Sequence, residues 1–390
     1  MKKGKFALLS IFSIIIVFAI AVGAVYFLGD SSLSDMSETT NDETISTEPV
    51  TEAPTEPDKT EILLNSMTLE EKVAQMMMVS CHEGVNIEAA SSYGVGAICL
   101  YSHSFEEKSA DEVKSMIESY QNLNYLPMLV STDEEGGTVV RVSSNPQIRA
   151  TPFLSPMELF TQGGMDLVKS DTQEKAQLLL SLGVNVNLAP VCDVPLDETN
   201  YIYDRCFSLN ADETAQYADA VVSVMKQNGI GSCLKHFPGY GGSVDTHESM
   251  AYDDREYSAF ENGDFKPFKA GINAGADCVL VTHNIVNCID PSMPASLSLP
   301  VHNELRNKLS FNGVIITDDL VMEGIQQFTD GNSAAVLAVK AGNDMIICED
   351  YSSSVDAIVA AVNNGEIAGS QIDESVKRIL KWKENLGLIE

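Results

Sequence analysis

The sequence predicts an α/β protein, a (β/α)8 barrel of the TIM type, preceded by one N-terminal membrane-spanning segment and a disordered linker. Short apolar, β-rich runs recur along the chain beyond Thr60. Helix-period stretches lie between most of them, and several of these stop at a glycine. Continuous apolar strands alternating with helices make a parallel sheet covered on its outer face, and eight such units suit closure into a barrel.

The first element, residues 1–29, opens with three lysines in MKKGKF and then runs from Phe6 to Gly29 without a charge. At about 1.5 Å per residue that run covers roughly 35 Å, enough for a hydrocarbon layer of about 30 Å with some tilt. Lysines ahead of the span favour a cytoplasmic N-terminus and an extracellular remainder, a single-pass cell-membrane protein. Small residues in AVGA leave secretion after signal cleavage as the alternative, although a secretory apolar core usually spans only about 7–15 residues. Residues 30–60, as in STEPVTEAPTEPDKT, hold too few large apolar side chains to offset their ordering entropy and read as a disordered linker.

Residues 61–390 form the expected barrel. Its strand candidates are Gln75–Ser80, Val95–Tyr101, Leu126–Asp133, Val184–Val191, Ser232–Phe237, Cys278–His283, Gly313–Asp319 and Asp344–Cys348. Helical patterns fall at 111–122, 171–183, 211–229 and 332–342, and IDESVKRILKWKENLG supplies a closing helix. An open doubly wound sheet is the structural alternative, but no G-x-G-x-x-G follows the first strand.

A net charge of −32, part of it in the linker and the rest spread through the folded region, argues against nucleic acid and against docking on anionic lipid. The eight cysteines sit mostly inside apolar runs with no C-x-x-C spacing, which suggests buried thiols rather than disulfides or a zinc site.

In barrels of this kind chemistry collects at the C-terminal ends of the strands. Those ends carry Asp133, Asp193, Lys235, His236, His283, Asp318 and Asp319. Any one of them can be a satisfied buried polar group or a helix cap, but their convergence on one rim points to an active site. No H-E-x-x-H, metal-ligand spacing, P-loop or G-x-S-x-G is present, so no metal and no organic cofactor is expected. A carboxylate nucleophile with a separate proton donor is the pattern of retaining glycoside hydrolysis. The loop KHFPGYGGSVDTHES, Lys235 to Ser249, is broken by Pro238 and its glycines and sets Asp245 two residues before His247. An aspartate beside a histidine orients it and raises its pKa, which suits a proton donor at near-neutral pH. Taken alone, the same pair also reads as a turn aspartate and a solvated histidine.

The motifs MTLEEKVAQM (Met67–Met76), STDEEGGTVVR (Ser131–Arg141), NLAPVCDV (Asn187–Val194), DRCFS (Asp204–Ser208), KHFPGYGGSVDTH (Lys235–His247), ITDDLVMEG (Ile316–Gly324) and AGNDMII (Ala341–Ile347) occur in an order that resembles glycoside hydrolase family 3. The resemblance runs from about Thr60 to the C-terminus, and the Asp-x-His after KHFPG is similar to the β-N-acetylglucosaminidase branch. It implies that Asp318 is the nucleophile, with Asp319 the fallback, and that His247 is the acid/base oriented by Asp245. It implies further that Asp133, Arg141, Arg205, Lys235 and His236 hold the sugar. The chain departs from the family pattern at Tyr240, where a second histidine is usual, at Thr138, where an arginine is usual, and in a slightly shorter loop before Asp245.

The function this implies is a retaining, exo-acting β-N-acetylhexosaminidase, anchored in the membrane with its catalytic domain outside. Its expected substrates are terminal N-acetylglucosamine residues of cell-wall, muropeptide or chitin-type fragments. A phosphorylase on the same scaffold and a catalytically lapsed wall-sugar binding protein are the alternatives.

Overall fold

A computed structural model describes residues 59–241, 251–322, 325, 328–329 and 333–389. The candidate anchor, nearly all of the linker, and both Asp245 and His247 lie outside the described residues. Among the described residues no helix is long and apolar enough to cross a membrane. The folded unit begins earlier than expected. Lys59 and Thr60, which the composition assigned to the linker, open a helix, Lys59–Ser66, that buries Thr60 and Leu64 and packs on the last helix, Gly369–Asn385.

The strands are β1 (Met77–Cys81), β2 (Ala97–Leu100), β3 (Leu129–Thr132), β4 (Val186–Asn187), β5 (Gly231–Phe237), β6 (Tyr252–Asp253), β7 (Cys278–Val281), β8 (Ile285–Val286), β9 (Val314–Thr317) and β10 (Ile346–Cys348). Eight of them form one parallel sheet in the order β10-β1-β2-β3-β4-β5-β7-β9. A parallel bridge between Ile316 and Met345 joins its two edges, with Met345 N–H donating to the Ile315 carbonyl at 3.1 Å, so the barrel is nearly closed. Each of these strands falls on one of the eight expected runs, β1 running one residue past its run at Cys81 and β5 starting one residue ahead of its run at Gly231. The pair β6 and β8, with Tyr252 opposite Ile285, was not expected, because two residues carry no readable period.

The helices begin where local chemistry starts them. Thr68 with Glu71, Ser109 with Glu112 and Ser155 with Glu158 each form a reciprocal capping box. The helix Pro156–Leu182 bends at Gly163–Gly164 and ends on Gly183, whose φ of 92° continues the chain in the left-handed region. The barrel strands are buried on both faces, with Met77, Ile98, Leu129, Val279 and Ile316 all excluded from solvent. Trp382 of the last helix closes in on the start of β5. A Cβ at Gly231 would lie 2.9 Å from its Nε1, so the backbone there must pass without a side chain. Seven cysteines are buried free thiols, as their apolar context implied, and Cys288 is the exposed exception.

Candidate active site

The C-terminal ends of the barrel strands enclose a cavity of about 550 Å³. Into it the loop after β3 brings Asp133, Glu135 and Arg141, the turn Tyr203–Arg205 brings Arg205, β5 brings Lys235 and His236, and the segment after β9 brings Asp318 and Asp319. The run Asp133-Glu134-Glu135 divides by alternation. Asp133 and Glu135 face the cavity, whereas Glu134 turns away and ties the loop shut. The Glu134 carboxylate accepts from the backbone N–H groups of Arg141 at 2.8 Å and Val142 at 2.7 Å, and from Ser143 Oγ at 2.5 Å. On β5 the register against β7 is irregular between Leu234 and Phe237, which lets Lys235 and His236, successive residues, line the same cavity.

A buried ion network forms one wall. Lys235 Nζ lies 2.5 Å from Asp133 Oδ1 and 2.6 Å from Glu135 Oε1. Arg205 grips Glu135 with two parallel bonds, Nε to Oε2 at 2.9 Å and Nη2 to Oε1 at 2.8 Å. Burial alone would raise the Glu135 pKa, but the charges of Arg205 and Lys235 outweigh it and hold the carboxyl well below the usual carboxylate range. For Lys235 burial works to lower the pKa, and the pull of Asp133 and Glu135 keeps it above the ordinary lysine value. Arg141 stands 4.0 Å from Asp133 Oδ2, and its buried Nε has no hydrogen-bond partner among the described residues, a donor left for a ligand.

His236 is fixed from behind. Its Nδ1 is 2.7 Å from Asp193 Oδ2, its backbone N–H donates to the same oxygen at 3.1 Å, and Tyr240 N–H donates to Asp193 Oδ1 at 2.7 Å. With Nδ1–H donating to Asp193, His236 Nε2 accepts from Arg205 Nη2 at 3.2 Å. Asp193, expected on the rim, is therefore a buried support behind it. His283 is likewise not a cavity residue. It is fully buried, with Nδ1 2.7 Å from Ser296 Oγ and Nε2 2.9 Å from the Asp319 carbonyl oxygen, so it props the turn that carries the aspartate pair.

The two aspartates differ. Asp319 has both oxygens engaged, Oδ1 by Val321 N–H at 3.1 Å and Oδ2 by His82 Nε2 at 3.1 Å. Asp318 faces the cavity half-exposed, with Oδ1 accepting from Asp319 N–H at 2.9 Å and its own N–H held by the Val281 carbonyl at 2.9 Å. Tyr240 is buried, edge-on to His236 at 5.7 Å and to Tyr201 at 5.2 Å. Thr138 lines a neighbouring cavity instead.

Three cavity residues escaped the sequence reading. Glu135 completes the ion network. His82 stacks on Tyr101 with ring centroids 4.3 Å apart, and the Arg141 guanidinium lies 5.6 Å from the same Tyr101 ring. His82 follows β1 directly and Tyr101 follows β2, so the strand-end rule applied to every strand would have found both.

Residues 68–382 match the glycosyl hydrolase family 3 N terminal domain. A β-hexosaminidase of Nitrosomonas eutropha is 30% identical over 271 residues, covering 68% of this chain and 77% of that protein. A β-hexosaminidase of Idiomarina loihiensis is 28% identical over 313 residues, 74% of this chain and 91% of its own. Among solved structures, a family 3 β-N-acetylglucosaminidase from Paenibacillus sp. str. FPU-7 superimposes with a TM-score of 0.77 at 28% identity, over 83% of this chain and 63% of that one. A β-N-acetylhexosaminidase from Beutenbergia cavernae gives 0.72 at 26% identity, over 82% of this chain and 99% of its own. Since the matched span takes in all the barrel strands and the walls of the cavity, the chain belongs to glycoside hydrolase family 3, and it is a glycoside hydrolase.

Proposed function

We propose that the chain is a retaining, exo-acting β-N-acetylhexosaminidase that removes terminal N-acetylglucosamine from cell-wall or chitin-type fragments. The observation that carries the reading is Asp318 facing a cavity that is also lined by Asp133, Glu135, Arg205, Lys235 and His236, of which Glu135, Lys235 and His236 are buried. Charged donors and acceptors held in fixed positions suit the vicinal hydroxyls and acetamido group of one sugar ring. The exo-acting reading takes that ring as the end of a chain. The relatives named β-hexosaminidase and β-N-acetylglucosaminidase support N-acetylglucosamine as that end.

In the first step a carboxylate oxygen of Asp318 bonds to the anomeric carbon while the glycosidic C–O bond breaks and the leaving oxygen takes a proton from His247. In the second, His247 removes a proton from water, the water oxygen bonds to the anomeric carbon, and the bond to Asp318 breaks. Asp318 is the more exposed of the pair toward the cavity, whereas Asp319 is buried, which supports Asp318 as the nucleophile. Asp245 orients His247. Phe6–Gly29 anchors the chain in the cell membrane, with the catalytic domain outside.

The test is turnover of nitrophenyl N-acetylglucosaminide with and without phosphate. Free N-acetylglucosamine in both cases supports hydrolysis, its 1-phosphate would make the protein a phosphorylase, and no turnover would make it a binding protein. A fluorosugar inactivator should label Asp318, and labelling of Asp319 would overturn that assignment. Fractionation of cells should find the full-length chain in the membrane; a chain shortened near Val25 and free in the medium would refute the anchor.

A further inference from the structure

We propose that His82 is a positioning residue for the nucleophile: its imidazole fixes the Asp319 carboxylate, and the Asp319 backbone in turn aims Asp318 at the anomeric carbon. This deepens the reading above and rests on it. The contact that carries it is His82 Nε2 to Asp319 Oδ2 at 3.1 Å, in a cavity that both residues line. A carboxylate oxygen only accepts, so Nε2 carries the proton in this pair.

The strand register brings the groups together. In the pairing of β1 with β2, Cys81 stands opposite Leu100, so the residues that leave the two strands, His82 and Tyr101, emerge side by side. Their rings stack with centroids 4.3 Å apart and an interplanar angle of 27°. The His82 backbone is held as well, its N–H donating to the Ser80 carbonyl at 3.0 Å and its carbonyl accepting from Val85 N–H at 3.1 Å. A ring fixed through its backbone and its face gives up little further freedom when it bonds to Asp319.

Asp319 is gripped at both its backbone and its side chain. His283 Nε2 lies 2.9 Å from its carbonyl oxygen, Val321 N–H donates to Oδ1 at 3.1 Å, and among the described residues His82 is the only donor to Oδ2. Asp319 is 8% exposed, so without His82 its Oδ2 would be a buried anionic oxygen short of a hydrogen bond, and the side chain would turn to find one. The N–H of the same residue donates to Asp318 Oδ1 at 2.9 Å. The direction of the Asp318 carboxylate therefore follows the Asp319 peptide, and a reacting group misplaced by about 1 Å loses rate by about 100-fold. The two adjacent carboxylates also repel, and a donor on Asp319 draws its charge away from Asp318. Glu349 is the other acid near the ring, and its Oε1 stands farther off, 4.0 Å from His82 Nε2.

The test compares His82→Leu and His82→Gln with wild type, all at a temperature where thermal melts show them folded. Leucine fills the space without a donor, whereas the glutamine amide can bring an N–H to the place of Nε2. The readouts are kcat/KM on nitrophenyl N-acetylglucosaminide, the maximal rate and half-saturating concentration of inactivation by a fluorosugar, and the inhibition constant of free N-acetylglucosamine. His82→Leu should lower kcat/KM and the maximal inactivation rate by about 10–100-fold while both binding constants stay within about threefold, and His82→Gln should recover to within about fivefold of wild type. A loss under about twofold in His82→Leu, binding constants that rise in step with the loss of rate, or a glutamine variant as slow as the leucine one would overturn the inference while the hydrolase reading stands. Failure of the wild type to turn over the nitrophenyl glycoside would overturn both.

Discussion

Glu135 is the carboxylate on which the cavity's cations converge, and Glu135→Gln removes its charge with almost no change of shape. Oε1 accepts from Lys235 Nζ at 2.6 Å and from Arg205 Nη2 at 2.8 Å, and Oε2 accepts from Arg205 Nε at 2.9 Å. Whichever way a glutamine amide is turned, its NH2 faces a donor. The least costly orientation keeps the carbonyl at the Oε1 position and sets the amide nitrogen against Arg205 Nε. Lys235 still has Asp133 at 2.5 Å, but Arg205 has lost its only close counter-charge among the described residues. Removing one partner of a buried ion pair costs about 3–5 kcal/mol. At roughly 2–4 °C per kcal/mol for a large domain, the melting temperature should fall by roughly 6–20 °C.

The pH dependence tests the cause. The folded-state pKa of Glu135 lies below its unfolded value, so its stabilising contribution is fully present above an unfolded pKa of about 4.3 and is lost as pH falls through the folded pKa. The stability gap between wild type and Glu135→Gln should stay level from about pH 8 to about pH 5 and narrow below about pH 4. Thermal melts by circular dichroism at matched ionic strength give both quantities. A fall of less than about 3 °C at pH 7, or a gap that widens in acid, would refute the claim that paired charge at Glu135 holds this wall together.

Three further outcomes follow from the same geometry. Asp193→Asn leaves the His236 Nδ1–H, the His236 N–H and the Tyr240 N–H competing for one acceptor, and should lower kcat/KM on nitrophenyl N-acetylglucosaminide by about 10–100-fold, chiefly through KM; a change under about twofold would mean that His236 is oriented by something else. Tyr240→Phe keeps the ring contacts with His236 and Tyr201 and should cost less than about tenfold in kcat/KM, or 1.4 kcal/mol, whereas a thousandfold loss would make the phenol a catalytic group. A chain beginning at Met67 loses the contact that Leu64 makes and should be less stable by about 1.5–3 kcal/mol than a chain beginning at Pro57, and equal melting temperatures would show that the helix Lys59–Ser66 is dispensable.

Much of this was legible in the sequence because barrel strands announce themselves. Runs such as GVII and CVLV are apolar throughout, as strands buried on both faces must be, and the polar residues that follow them, TDD and TH, mark the strand ends. What the pattern could not supply was the direction of individual side chains. His82 and His283 both stand just beyond apolar strands, yet His82 lines the cavity and His283 is enclosed between Ser296 and the Asp319 carbonyl. Asp133, Glu134 and Glu135 are three acids in a row, and only strand alternation carried through the last of them separates the two that meet Lys235 from the one that ties the loop. The early start at Lys59 was hidden because KTEILLNS follows a polar tract directly, and its one deeply buried aliphatic, Leu64, makes no period in so short a helix.

The electrostatics of the cavity also bear on why a histidine on a loop suits the proposed chemistry. Among the described residues four carboxylates line it, those of Asp133, Glu135, Asp318 and Asp319, against three groups that are always cationic near neutrality, Lys235, Arg205 and Arg141. Lys235 and Arg205 are turned toward Asp133 and Glu135, and Arg141 stands 4.0 Å from Asp133. A carboxylic acid as proton donor would become an anion as it gave up its proton, in the same step in which the Asp318 carboxylate is consumed as a neutral ester. A histidine becomes neutral on the same event. Its proton is then recovered from the water of the second step, so the histidine passes only between cation and neutral base and never stands as an anion beside the intermediate. On this reading the fixed wall of Asp133, Glu135, Lys235 and Arg205 supplies orientation, Asp318 supplies the bond, and the loop supplies only the proton.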